Sequence, residues 1–110
     1  MAKNQLIWTE YAYVDLDGIL DYVLQDSPEN VPKIYEKIMA KVNTRAGFSK
    51  VGRLVPELEN LNITIFREVF EMPWRIIYRV EPQKVYILAI FDGRRDLEEV
   101  ILKRLLYNKL

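Results

Sequence analysis

The chain has no cysteine and no histidine among its 110 residues. Lack of cysteine excludes disulfides, thiolate metal sites and thiol nucleophiles. Lack of histidine excludes Ser-His-Asp triads, imidazole-ligated metals and the usual general base at neutral pH. Only carboxylates remain as metal ligands. Neither sign of charge is in excess, because sixteen Lys and Arg balance sixteen Asp and Glu. No overall field therefore draws the protein to nucleic acid or to an anionic membrane. No run of eighteen apolar residues occurs, so no segment reads as transmembrane. Met1 to Asn4 lead into a mixed segment and not into a signal-peptide core. Glycine is scarce at four residues, and neither G-x-G-x-x-G nor a Walker pattern is present. The expectation is a cytoplasmic protein without metal or cofactor.

Half of the residues are hydrophobic and 29% are charged, the balance of a globular chain. The length suits a single domain spanning residues 1–110. Arginine is unevenly placed: seven of the eight lie from Arg53 onward. Since arginine is the better fork for phosphate and carboxylate groups, function is sought in the C-terminal half.

Leu6, Ile7 and Trp8 read as a short strand. A helix begins at Thr9 or Glu10 and ends near Asp26, with Ala12, Leu16, Ile19 and Val23 on its buried face. Gly18 is tolerated within it at about 1 kcal/mol against Ala. Ser27-Pro28-Glu29-Asn30 reads as the start of a second helix, with Ser27 as N-cap and Pro28 at the first position. Its buried stripe is Val31, Ile34, Tyr35, Ile38 and Val42, with Gly47 as a stop. Phe48 to Leu58 reads as irregular. The period then changes to two, giving strands over Ile63 to Phe70, Trp74 to Val80 and Val85 to Phe91, joined tightly enough to be antiparallel. Asp96 and Glu99 form a capping-box-like pair for a last helix to about Tyr107, with Leu97, Ile101 and Leu105 apolar. The expected class is α+β: an N-terminal strand and a helical hairpin packed on an antiparallel β-sheet, with a short C-terminal helix.

The richest chemistry lies in Arg67, Arg75, Arg79, Arg94 and Arg95. Strand alternation puts Arg75, Ile77 and Arg79 on one face and Trp74, Ile76, Tyr78 and Val80 on the other. Converging guanidinium groups at a sheet edge would suit phosphates or an acidic peptide. The alternative is pairing with Glu68, Glu71 and Glu81 on a solvated face. Trp74 and Tyr78 could stack bases, although strand aromatics more often fill a core. Asp17 and Asp21 share a helix face that a solvated surface explains better than a Mg²⁺ site. Ser27 lacks a base to make it a nucleophile. From residue types alone the chain is a compact α+β domain with an arginine-rich sheet edge and no ordinary enzyme site.

From about Ile7 to Leu97 the chain resembles the ParE/RelE superfamily of type II toxin–antitoxin toxins, also called plasmid stabilisation proteins. The resemblance rests on Trp8-Thr9, Ala12, Asp15-Leu16, Ile19, Tyr22, Ser27-Pro28 and the stretch Gly52-Arg53-Leu54-Val55-Pro56-Glu57-Leu58. It continues through Arg67-Glu68, Trp74-Arg75-Ile76-Ile77-Tyr78-Arg79-Val80, Val85-Tyr86-Ile87-Leu88 and Gly93-Arg94-Arg95-Asp96-Leu97. It implies a growth-arresting toxin silenced by a cognate antitoxin. ParE-like members poison DNA gyrase; RelE-like members are ribosome-dependent endoribonucleases that cut mRNA. In the ribonuclease case Arg67, Arg75 and Arg95 would be catalytic. However, the position six beyond Arg95, where such an enzyme carries a tyrosine, is Ile101, and Arg67 stands where two lysines are common. Arginine stabilises charge but is a poor base. Asp92-Gly93-Arg94-Arg95-Asp96-Leu97 looks more like the ParE branch. The expectation is a toxin acting by binding, with Arg53, Arg67, Trp74, Arg75, Tyr78, Arg94 and Arg95 facing the target or the antitoxin. The antitoxin would add a strand to the sheet edge or lay a helix in the hairpin groove.

Overall fold

The computed structural model describes residues 5–44 and 51–107. Strand β1 (Gln5–Trp8) leads into helix α1 (Glu10–Asp26), whose first turn is capped by the Thr9 side chain accepting from the Ala12 amide. A single 3-10 turn (Pro28–Asn30) separates α1 from α2 (Val31–Thr44). Proline supplies that turn, but the Ser27 side chain makes no cap hydrogen bond, contrary to the N-cap reading. The expected stop at Gly47 lies outside the described residues. The segment read as irregular contains a two-residue strand β2 (Arg53–Leu54) and a short helix α3 (Pro56–Glu59). Strands β3 (Phe66–Glu71), β4 (Trp74–Glu81) and β5 (Lys84–Asp92) follow. The chain closes with α4 (Glu98–Leu102) and a wider π turn (Lys103–Tyr107). In place of a capping box, Asp96 accepts from the Glu98 amide two residues on.

The sheet order is β1-β5-β4-β3-β2. The three long strands are antiparallel as their short turns require, whereas β1 joins β5 in parallel. One face of the sheet carries the helical hairpin over Ile76, Tyr78, Val85, Ile87 and Ile90, with Ala12, Leu16, Ile38 and Val42 sealing it. Tyr35, expected in the α2 stripe, is exposed. The other face holds a second core: Val55 and Leu58 from the α3 segment, Phe66, Ile77 and Phe91 from the strands, and Leu97, Ile101 and Leu105 from the C-terminal helix.

A bulge in β5 makes both cores possible. Tyr78 pairs with Ile87 and Ile77 with Ala89, leaving Leu88 as the extra residue. Leu88 and Ala89 therefore both face the second core, and the alternation restarts with Ile90 toward the hairpin and Phe91 away. Beyond the bulge β5 runs past the end of β1, and side chains take over its open edge. Asp15 of α1 accepts from the Ile90 amide at 3.0 Å. Arg104 donates to the Leu88 carbonyl at 3.3 Å and forks onto both Asp15 carboxylate oxygens at 3.0 and 3.1 Å. Its guanidinium also lies over the rings of Tyr11 and Phe91. One ion pair thus ties α1, β5 and the C-terminal helix together.

Candidate functional site

The expected arginines do not form one cluster. Arg75 lies on the α3 side of β4 and is buried, only 6% exposed. Its Nε donates to Glu68 at 2.7 Å, and its two terminal nitrogens donate to the two oxygens of Glu57 at 2.8 Å. Glu68 is itself 1% exposed and also accepts from Arg53 Nε at 2.7 Å. The Arg75 hydrogen bonds hold Glu57 below the ordinary carboxylate range, and those of Glu57 and Glu68 raise Arg75 further. Arg75 is therefore saturated by internal carboxylates and presents no free fork to a ligand. Pairing with Glu68 was anticipated; the burial and the second carboxylate, Glu57, eighteen residues upstream, were not.

Arg67 occupies the opposite face of the sheet and donates to the Gly52 carbonyl at 2.8 Å. Tyr78 is buried in the hairpin core, and its hydroxyl accepts from the Gly52 amide at 2.8 Å. Burial pushes its pKa up, so the phenol stays protonated. It offers no surface for stacking a base, which corrects its assignment to a binding face. Gly52 is obligatory at this junction, because a Cβ would overlap the Glu68 carbonyl oxygen and the Tyr78 hydroxyl. Arg53 is half-exposed and lies 4.7 Å over the Phe70 ring as well as pairing with Glu68. Arg79 pairs with Glu81 and lies over Tyr86, the surface pairing expected of it.

Arg94 and Arg95 stand apart on the turn after β5. The Gly93 amide donates to the Pro73 carbonyl at 2.8 Å, seating this turn beside the Arg75 stem, where a Cβ on Gly93 would meet Arg75 Cγ at 3.0 Å. Arg94 forks onto Asp92 at 3.0 and 2.8 Å. Those bonds pull the Asp92 carboxyl down to about 2. Arg95 is exposed and has no ion-pair partner among the described residues. Trp74, half-buried, shares a groove of about 540 Å³ with both arginines and with Val14, Gly18 and Tyr22 of α1. Trp74, Arg94 and Arg95 thus line one groove together, and of the two arginines only Arg94 has an ion-pair partner among the described residues. Arg53, Arg67 and Arg75 brace the β2 end of the sheet. Ile101, at the position of a ribonuclease tyrosine, is fully buried. Among the described residues no three carboxylates gather as a metal site would require, and no helix is long and apolar enough to cross a membrane.

Residues 6–97 match the family described as ParE toxin of type II toxin-antitoxin system, parDE. Among solved structures, the chromosomal ParDE toxin–antitoxin system from Pseudomonas aeruginosa is similar at 26% identity, over 82% of this chain and 96% of that one, with a TM-score of 0.66. The RelBE2 toxin–antitoxin complex from Mycobacterium tuberculosis shares the fold at 15% identity, over 84% of this chain and 93% of that one, with a TM-score of 0.50. Comparison with curated protein sequences gives no match. The family match spans nearly every element that builds the two cores, and the chain belongs to the ParE toxins of type II toxin–antitoxin systems.

Proposed function

We propose that this toxin arrests growth by binding and poisoning DNA gyrase in the cytoplasm, and that a cognate antitoxin silences it by covering the same surface. The observation that carries this reading is the internal saturation of Arg75 by Glu57 and Glu68. RNA cleavage through the 2′-hydroxyl needs a base, a stabiliser of the pentavalent phosphate and an acid for the leaving group. Arg75 is unavailable as stabiliser. Arg67 is engaged by the Gly52 carbonyl. Asp92, the carboxylate next to Arg94, is too weakly basic at a pKa of about 2 to accept a proton at neutral pH. Ile101 cannot donate one. The groove beside the end of β5 is a surface suited to binding: Arg95, without an ion-pair partner among the described residues, the Arg94–Asp92 fork and the half-buried Trp74 ring.

The test is direct. Purified toxin is incubated with gyrase and supercoiled plasmid, and linear DNA held by the enzyme is scored after detergent and protease treatment. Accumulation of linear DNA with wild-type toxin, lost in Arg95→Glu, is expected. Unchanged gyrase products together with mRNA cut on translating ribosomes would overturn the proposal.

A further inference from the structure

Helix α1 has two apolar stripes. Ala12 and Leu16 are buried against the sheet, with Ile19 and Leu20 packed beside them. A second stripe, Val14, Gly18 and Tyr22, recurs at four-residue steps and lines the groove shared with Arg95. Val14 is 62% exposed and Tyr22 is 76% exposed. Val100 of α4 also lines it. Gly18 sits midway along the stripe, in the interior of a helix where glycine is unfavourable. Nothing inside the molecule demands it: a Cβ there would find no atom within 4 Å. The missing side chain opens a notch on a face that the fold leaves bare.

We infer that this groove grips a helix of the target, an amphipathic gyrase segment whose apolar face lies along Val14, Gly18 and Tyr22 and whose carboxylate meets Arg95. This rests on the gyrase reading above and specifies how the same surface recognises its partner. Three features select a helix with an acid. Positions spaced by four residues form a ridge that a second helix meets side by side. The notch at Gly18 admits a close approach of the partner's backbone or a large side chain. The groove's two carboxylates are already paired, Asp92 with Arg94 and Asp15 with Arg104, and Arg95 is its cation without an ion-pair partner among the described residues. A carboxylate placed there gains a charge-assisted bond without breaking one inside the toxin.

The experiment compares wild type, Gly18→Ala, Gly18→Leu and Arg95→Glu in the gyrase cleavage assay, with melting temperatures measured on the same preparations. Gly18→Ala is expected to melt several degrees higher and to poison gyrase less well. Gly18→Leu, whose Cβ would meet no atom within 4 Å on this exposed helix face, is expected to fold normally and to lose at least tenfold in poisoning. Arg95→Glu is expected to lose as much. Gly18→Leu with wild-type potency would overturn the groove assignment and leave gyrase poisoning standing. Variants that still poison gyrase but escape neutralisation by antitoxin would assign the groove to the antitoxin and equally overturn the proposal. Wild-type toxin without effect on gyrase would remove the functional reading itself, and this inference with it.

Discussion

Replacing Arg75 with Met removes the cation that Glu57 and Glu68 share. The Glu68 side chain has no exposure, and its other partner, Arg53, is 54% exposed at the side chain and contributes little. Breaking a buried ion pair from one side costs about 3–5 kcal/mol, because the remaining charge stays desolvated and uncompensated. Glu57, with 21% of its side chain exposed, can rehydrate. The loss should therefore fall near the lower bound, about 3 kcal/mol. For a domain of this size that lowers the melting temperature by roughly 10–20 °C. Glu68→Leu in the Arg75→Met background also removes the stranded carboxylate, and should recover at least about half of the loss. Arg53→Ala should cost less than about 1 kcal/mol. Urea unfolding followed by tryptophan fluorescence measures all of these. The reasoning is refuted if Arg75→Met stays within about 1 kcal/mol of wild type, or if the added Glu68→Leu destabilises further.

Asp15→Ala should cost about 2–3 kcal/mol, since it strands the Ile90 amide and the Arg104 guanidinium together; hydrogen exchange should then quicken over residues 98–107, and unchanged exchange would refute the tie. Gly52→Ala should be more damaging than Tyr78→Phe, which removes the acceptor of the Gly52 amide at about 1–2 kcal/mol; equal melting temperatures for the two would contradict the packing at that junction. Gly18→Ala should stabilise by about 1 kcal/mol against unfolding in urea. Glu57, held below its ordinary value of 4.5 mainly by its hydrogen bonds from Arg75, adds stability that is fully present above pH 4.5 and is lost as pH falls through its folded value. Acidification below that point should therefore destabilise wild type more steeply than Arg75→Met.

Periodicity made the element order legible: α1, the three tight strands and the apolar side of the last helix are all present, although β3 opens at Phe66 and not at Ile63, and Val23 of the expected α1 stripe stays outside the core. It did not reveal the bulge at Leu88, because an unbroken apolar run from Val85 to Phe91 reads the same with or without a change of phase. The second core followed from that bulge and was equally hidden. β1 lies parallel to β5, a long-range pairing that a four-residue segment cannot signal. The arginine-rich half was recognised from composition, yet composition cannot tell a saturated guanidinium from a free one. Arg75 and Arg95 differ only in whether Glu57 and Glu68 fold onto them. Asp15 and Arg104, 89 residues apart, carried no sequence sign of their bond. Gly18 was noted as a helix defect; its meaning as a notch required knowing which way that face points.

The central claim, a toxin that acts by binding gyrase and not by cutting RNA, is tested most directly by tightly controlled induction in growing bacteria. Protein synthesis and a DNA-damage reporter are followed together over the first minutes. The account predicts that the damage signal rises while translation still runs, and that Arg95→Glu suppresses it. Translation arrest with cleaved mRNA before any damage signal would contradict it.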